Sequence, residues 1–123
     1  MAEGIRRREG CTIERAARHW TVANTILLDD LVELDNAMLL SYEELCANPS
    51  EQMNRITRFL GTAPYADACL EQPLDIHNAE DEESPIRNFN DSSFERLSAD
   101  ELRKIEDIAG DLMSRLGYEF FTG

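Results

Sequence analysis

Few residues in this sequence have the types and the spacing that catalysis requires. The sequence contains no glycine-rich phosphate loop, no G-x-S-x-G nucleophile turn and no H-E-x-x-H zinc motif. The carboxylate pairs Asp29–Asp30 and Asp81–Glu82 are adjacent in sequence, so their side chains diverge and do not converge on one substrate. We therefore predict that this chain contains no catalytic residue.

The residue types that bind metal ions are scattered as well. Cys11, Cys46 and Cys69 form no C-x-x-C pair, and neither of the two histidines has a second ligand at metal-binding spacing. We predict reduced thiols and no metal site. A weaker alternative remains, which is cation binding by the acidic run 80–83, although that run lacks the alternating ligands and the glycine of a calcium loop.

The overall charge excludes one large class of function. The 123 residues include 12 Lys and Arg against 25 Asp and Glu, a formal net charge of −13. A nucleic-acid binder that relies on a basic surface is excluded, because neutralising phosphates requires cations. No stretch is long and apolar enough to span a bilayer, and the first ten residues lack the apolar region of a signal peptide. We expect a cytoplasmic, soluble protein with no nucleic-acid or membrane partner.

A first helix is predicted near 12–35, where apolar residues recur at three- and four-residue steps from Ile13 to Leu34. Asn24 is a polar member of this stripe, so it either bonds within the core or contacts a ligand or a neighbouring loop. Residues 1–18, which include the start of this helix, carry five cations and three anions. This basic stretch either meets an anion or leads into the helix as a solvated segment.

Two further helices are predicted near 49–60 and 98–116. The earlier one follows Asn48-Pro49, an N-cap residue and a proline suited to the first helical position. The later one begins with Ser98 and Glu101, the pattern of a capping box. The predicted buried face of the helix near 49–60 consists of Met53, Ile56, Phe59 and Leu60.

Between these helices, residues 37–41 form a short apolar run that predicts a strand. The run does not alternate with polar residues, which is typical of an interior strand of a parallel sheet with helices on both faces. Ser41 and Glu44 then predict a short helical turn, and residues 62–97 predict a long loop. The predicted fold class is α/β, mostly helical with one short parallel-type strand. No second strand run is present, so we expect residues 1–123 to form a single partial domain.

Several motifs occur together in an order that resembles the C-terminal half of the sulfotransferase family. In that family, a strand leads into a "YEDL" or "YEEL" turn, an "xNP" sequence follows, a helix closes with "FLG", and a later "LGY" often ends the last long helix. The matching residues here are Trp20-x3-Asn24, Tyr42-Glu43-Glu44-Leu45, Ala47-Asn48-Pro49, Arg58-Phe59-Leu60-Gly61 and Leu116-Gly117-Tyr118.

The resemblance implies a P-loop-like α/β fold and the sulfuryl donor 3′-phosphoadenosine 5′-phosphosulfate (PAPS). It implies that Tyr42 lies near the adenine of this nucleotide. The alternative for Tyr42 is a half-buried aromatic residue whose hydroxyl bonds a loop carbonyl. The resemblance also offers Arg87 as a contact for the 3′-phosphate, with a plain surface arginine as the alternative.

The family residues that hold the phosphosulfate, and the usual catalytic base, lie upstream of the region that matches, and this sequence lacks them. A net charge of −13 also repels a polyanion such as PAPS. We therefore expect the C-terminal portion of an enzyme that transfers a sulfuryl group from PAPS to a hydroxyl or amine acceptor, inactive alone. Exposed helix and strand surfaces would then serve self-association or a missing N-terminal lobe. The alternative is a small acidic helical protein-interaction module without catalysis.

Overall fold

The computed structural model describes residues 2–64, 66, 70, 86 and 88–121. The regular structure in these ranges consists of α-helices. The helices are α1 (Ala2–Glu9), α2 (Ile13–Glu33), α3 (Tyr42–Ala47), α4 (Pro49–Leu60), α5 (Asn90–Phe94) and α6 (Ala99–Arg115).

The predicted α/β class is wrong for the part of the chain that the structure describes. Of these residues, 69% are helical and none forms a strand or a sheet. The run 37–41 is neither helical nor paired, and its central residue Leu39 is 46% exposed. A strand forms only where a neighbouring strand accepts its backbone hydrogen bonds, and no described residue supplies that neighbour.

The chain divides into two compact units. The first comprises Met1–Ala37 with Asn90–Gly123, and the second comprises Met38–Phe89. The three helices predicted near 12–35, 49–60 and 98–116 are confirmed as α2, α4 and α6.

The first unit is built on the contact between α2 and α6. Its core consists of small and aliphatic residues, which let the helix backbones approach closely. The core residues are Ala2, Ile13, Ala16, Ala17, Ile105, Ala109 and Met113. Lys104 Nζ lies 3.0 Å from Glu14 near the start of both helices, whereas Trp20 meets the ring of Tyr118, which follows α6, at a centroid distance of 6.5 Å. The two helices therefore run in the same direction where they meet.

Helix α2 continues well beyond this contact. Thirteen residues follow Trp20 in the helix, about 20 Å at 1.5 Å per residue. The apolar stripe is buried at Ile13, whereas Leu27 of the same stripe is 47% exposed, and Val32 on another face of the helix is 83% exposed. The Asn24 side chain finds a hydrogen-bond partner within its own helix: its Nδ2 donates to the Trp20 carbonyl oxygen at 2.8 Å.

The end of α6 shows why this helix stops where it does. Gly117 has φ +80°, a left-handed conformation that costs a side-chain-bearing residue free energy and that glycine adopts readily. The Tyr118 N–H then donates to the Met113 carbonyl oxygen at 2.9 Å, which satisfies an acceptor that the helix itself leaves open. The Tyr118 ring folds back toward the helices, as its contact with Trp20 shows.

In the second unit, α4 ends at Gly61 as predicted, with φ +67°. The predicted buried face of α4 is wrong in part: Phe59 is 46% exposed and Leu60 is 63% exposed. The most buried residue of this helix is Gln52, at 5% exposed, whose Oε1 accepts a 2.6 Å hydrogen bond from Arg55. Helical spacing places residues on one face but does not say which face a neighbouring element covers.

Replacing the N-cap residue Ser98 by alanine is expected to lower the free energy of unfolding by about 1 kcal/mol. The Ser98 hydroxyl accepts from the Glu101 backbone N–H at 3.2 Å, and the alanine variant leaves that N–H without a partner from the cap. Urea denaturation followed by circular dichroism measures the change. Ser114→Ala is the matched control, because Ser114 is exposed within the same helix and caps nothing. Equal losses in both variants would contradict a capping role.

The carboxylate of the same capping box makes stability depend on pH. Its pKa lies below the usual glutamate range, first because the Ser98 backbone N–H donates to Glu101 Oε2 at 2.9 Å, and also because of the Ser98 hydroxyl and the Arg6 charge. A carboxylate with a lowered folded-state pKa stabilises the fold above its unfolded pKa, and this contribution is lost as the pH falls through the folded value. Glu101→Gln is therefore expected to lower stability at neutral pH, and the difference from the wild type is expected to shrink as the pH falls through the lowered folded-state pKa. A difference that keeps the same size as the pH falls, measured by urea denaturation, would refute the charge argument.

Candidate functional site

Tyr42 is the first residue of α3, directly after the extended residues 37–41. Ser41 caps this helix: its side chain accepts from the Glu44 backbone N–H at 3.0 Å. The predicted short helical turn is thus present, and it fixes the backbone from which the Tyr42 side chain extends. The Tyr42 side chain is half-buried, with 39% of the residue exposed.

The Tyr42 hydroxyl accepts a 3.0 Å hydrogen bond from the backbone N–H of Phe89. Partial burial raises the pKa of this hydroxyl, the Phe89 N–H lowers it, and Cys46 and Glu43 raise it further. The hydroxyl therefore remains protonated at neutral pH and also acts as an acceptor. The bond joins residues 47 positions apart, so it fixes Phe89 to the start of α3.

Arg87, the second predicted nucleotide contact, lies outside the described residues. The structure therefore does not bring Tyr42 and Arg87 together, and both remain predictions. It does place Phe89, which follows Arg87 by two positions, against the Tyr42 hydroxyl. Sequence reasoning missed this contact, because a backbone N–H carries no residue-type signal.

An open hollow of about 560 Å³ lies at the start of α4. Residues from one helix and its N-cap line it: Asn48, Pro49, Ser50, Glu51, Asn54, Arg55 and Arg58. Arg55 is engaged by protein partners, since its Nη1 donates to Gln52 and lies 3.8 Å from Glu44 Oε2. Sequence analysis did not single out this hollow. The spacing of Arg55 and Arg58 at i and i+3 is the signal that could have found it.

No three His, Cys, Asp or Glu side chains within 2–64 and 88–121 are grouped so that they could hold a metal ion. Cys11 and Cys46 are free thiols. The acidic run 80–83 and Cys69 lie outside the described residues.

Among the helices described, none has both the length and the apolar character needed to cross a bilayer. Even α2, with 21 residues, carries two adjacent aspartates within its second half.

Comparison with known proteins identifies the family. A family model described as "Sulfotransferase domain" matches residues 17–119. No curated protein and no solved structure matches the chain. The matched range includes α2 from Ala17 onward, α3, α4, α5 and α6 together with Tyr42, and it omits α1. Since this range covers most of the sequence, the chain belongs to the sulfotransferase domain family.

Proposed function

We propose that this chain is the C-terminal part of a PAPS-dependent sulfotransferase, in which it supplies the adenine-facing side of the nucleotide pocket. The observation that carries the proposal is the family match over 17–119, with Tyr42 inside the matched range. PAPS supplies the sulfuryl group, and a hydroxyl or amine acceptor receives it.

The residues around Tyr42 fit the adenine end of the nucleotide. The ring is 39% exposed, so an aromatic base can stack on its open part. The Phe89 N–H holds the hydroxyl, which limits the rotation of the ring and lowers the entropy lost on stacking. Stacking of a base on an aromatic side chain contributes about 1–3 kcal/mol.

The described residues do not fit the phosphate and sulfate groups. A polyanion needs several cations or backbone amides directed at it, whereas the residues that follow Tyr42 in α3 are Glu43 and Glu44. Arg55, in the same unit, already interacts with Gln52 and Glu44. We therefore derive no step of the transfer from this chain and infer that another part of the enzyme supplies those contacts. Arg87 stays within the proposal as a contact for the 3′-phosphate.

A binding experiment with 3′-phosphoadenosine 5′-phosphate (PAP), the desulfated product, tests the proposal. Isothermal titration calorimetry is carried out on residues 1–123 and on the same chain extended by whatever the reading frame encodes upstream. We expect the extended chain to bind PAP and residues 1–123 not to bind it measurably. Binding of PAP by residues 1–123 as tight as by the extended chain would contradict the missing-lobe argument. An extended chain that does not bind PAP would contradict the nucleotide role.

In the extended chain, Tyr42→Ala is expected to weaken PAP binding about tenfold or more, in line with the loss of about 1–3 kcal/mol of stacking. Tyr42→Phe is the matched control: it keeps the ring and removes only the hydroxyl, so binding is expected to change less. Calorimetry measures the affinity, and urea denaturation measures the stability of each variant. A loss of stability equal to the loss of binding free energy would mean that Tyr42 is purely structural.

One observation favours a second candidate, the acidic interaction module. From Val22 onward α2 exposes large aliphatic residues, with Val22 at 58%, Ile26 at 56% and Val32 at 83%. In an interaction module a partner would cover these residues, whereas in the longer enzyme the N-terminal part would cover them. Sedimentation of residues 1–123 tests this: a defined oligomer that Val32→Asp dissociates would favour the interaction module, whereas a monomer that associates with the separately expressed upstream segment supports the enzyme.

A further inference from the structure

Helix α1 lies outside the range that matches the sulfotransferase domain, yet it is part of the core of the first unit. The family match begins at residue 17, and α1 spans Ala2–Glu9. Ala2 is only 9% exposed and belongs to the same buried cluster as Ile13 and Ala16. Ile5 packs against this cluster from the same helix. Helix α1, external to the matched range, thus packs against α2 and reaches α6 through the ion pair of Arg6 with Glu101.

The surface against which α1 packs has a definite chemical character. It is aliphatic, because the cluster consists mainly of the isoleucines at positions 13 and 105 and the alanines at positions 16, 17 and 109. At its edge, Arg6 of α1 forms an ion pair with Glu101 of α6, and the two side chains are 27% and 24% exposed. The surface therefore fits an amphipathic helix that presents aliphatic side chains to the alanines and a cation to Glu101.

Features within α1 weaken its attachment. Glu3 is 3% exposed, and its Oε1 is buried without a hydrogen-bond partner among the residues that the structure describes. The nearest cation, Arg6 Nη2, is 3.8 Å from that oxygen, too far for a hydrogen bond. A buried carboxylate with an unsatisfied oxygen destabilises the docked state. Gly4 lies in the interior of α1 and lowers its intrinsic helix propensity.

The connection to α2 allows α1 to move independently. Gly10, with φ +61°, ends α1, and its N–H donates to the Arg6 carbonyl oxygen at 2.8 Å. Helix α2 then has its own cap, because the Thr12 hydroxyl accepts from the Arg15 N–H at 3.3 Å. Detachment of α1 at Gly10 would leave this cap intact.

We propose that α1 is a displaceable cap on a helix-docking surface of this domain. The partner that replaces α1 is an amphipathic helix with aliphatic side chains toward Ile13, Ala16 and Ile105 and a Lys or Arg toward Glu101. This proposal is independent of nucleotide binding.

Hydrogen exchange on the full chain tests whether α1 opens locally. The protection factors of the hydrogen-bonded amides at the end of α1, Gly10 among them, are expected to be at least about tenfold lower than those of Ile105 and Ala109 in α6. Glu3→Met removes the buried carboxylate and is expected to raise protection in α1 about tenfold. Arg6→Met removes the ion pair with Glu101 and is expected to lower it by a similar factor. Met, Glu and Arg have similar intrinsic helix propensities, and the loss of the Glu3 charge from the first turn of α1 would by itself lower protection, opposite to the expected rise.

Glu9→Met is the matched control, because Glu9 is an exposed residue of the same helix and the substitution removes the same charge. Its effect on α1 protection is expected to be less than about twofold. Equal protection in α1 and α6 would overturn the proposal, because α1 would then open only when the whole unit unfolds. A Glu3→Met effect no larger than that of Glu9→Met would also overturn it.

A peptide titration tests the docking surface itself. The probe is a synthetic peptide with the sequence of residues 1–10 and the Glu3→Met substitution, added to the Arg6→Met chain. Saturable chemical-shift changes at Ile105 and Ala109 are expected, and the same peptide with Arg6→Glu is expected to produce none. If neither peptide changes these resonances, or both change them equally, the surface does not select a cationic amphipathic helix and the proposal fails.

Discussion

Replacing Ile105 by alanine is expected to lower the free energy of unfolding by about 2–3 kcal/mol. Ile105 is 9% exposed and lies in the cluster with Ile13, Ala16 and Ala109. Truncation removes three buried carbon atoms and leaves a gap that helix backbones already in close contact fill only in part. Urea denaturation, followed by the fluorescence of Trp20 and by circular dichroism, measures the loss.

Ile26→Ala is the matched control for this prediction. It removes the same atoms from α2, but Ile26 is 56% exposed, so the expected change is within about 0.5 kcal/mol. Comparable losses at Ile105 and Ile26 would mean that the contact between α2 and α6 does not dominate the stability of the first unit.

Replacing Ala16 by leucine is expected to destabilise the protein by about 1–3 kcal/mol, although leucine favours helices and is more hydrophobic. Ala16 is 0% exposed on the face of α2 that joins the core cluster. Three additional carbon atoms at this position must push α2 away from its neighbours or force unfavourable rotamers. Thermal and urea denaturation measure the effect.

Ala23→Leu supplies the comparison on the same helix. Ala23 is exposed, so the added atoms meet solvent and the expected change is within about 0.5 kcal/mol. If Ala16→Leu were as neutral as Ala23→Leu, the close approach of the helices at Ala16 would be refuted.

The elements that the sequence predicted correctly are those whose signals are local. In α6, Ser98 and Glu101 lie three residues apart and form the capping box with atoms of the same turn. In α4, Pro49 occupies the first helical position, and Gly61 follows the last. Each of these signals depends on backbone geometry within a few residues, so no other part of the chain can override it.

The predictions that were wrong concern which apolar residues a neighbouring element buries. Residues 37–40 are apolar, and we interpreted 37–41 as a strand covered on both sides. The structure leaves Leu39 46% exposed and unpaired. Phe59 and Leu60 are likewise exposed, although they follow the helical spacing. An apolar residue shows that burial is favourable, but only a neighbouring element can bury it.

The candidate site divides in the same way. The type and position of Tyr42 followed from the motif, whereas the hydrogen bond from Phe89 joins residues 47 positions apart and depends on the path of the chain. The role of α1 was missed as well: the basic start suggested a solvated segment, yet Arg6 pairs with Glu101 and Ala2 is in the core. Ion pairs and core contacts between residues so far apart in the sequence leave no periodic pattern by which they could be predicted.

By itself, the sequence determined the start and end of α4 and α6, the course of α2 and the family to which the motifs belong, because short-range hydrogen bonds and side-chain spacing specify them. Only the tertiary structure decided that α1 packs against α2 and reaches α6 through an ion pair, that the second half of α2 stays exposed, and that Phe89 reaches the Tyr42 hydroxyl. The physical reason is that burial and long-range hydrogen bonds are properties of pairs of surfaces, and one stretch of sequence contains only one of the two.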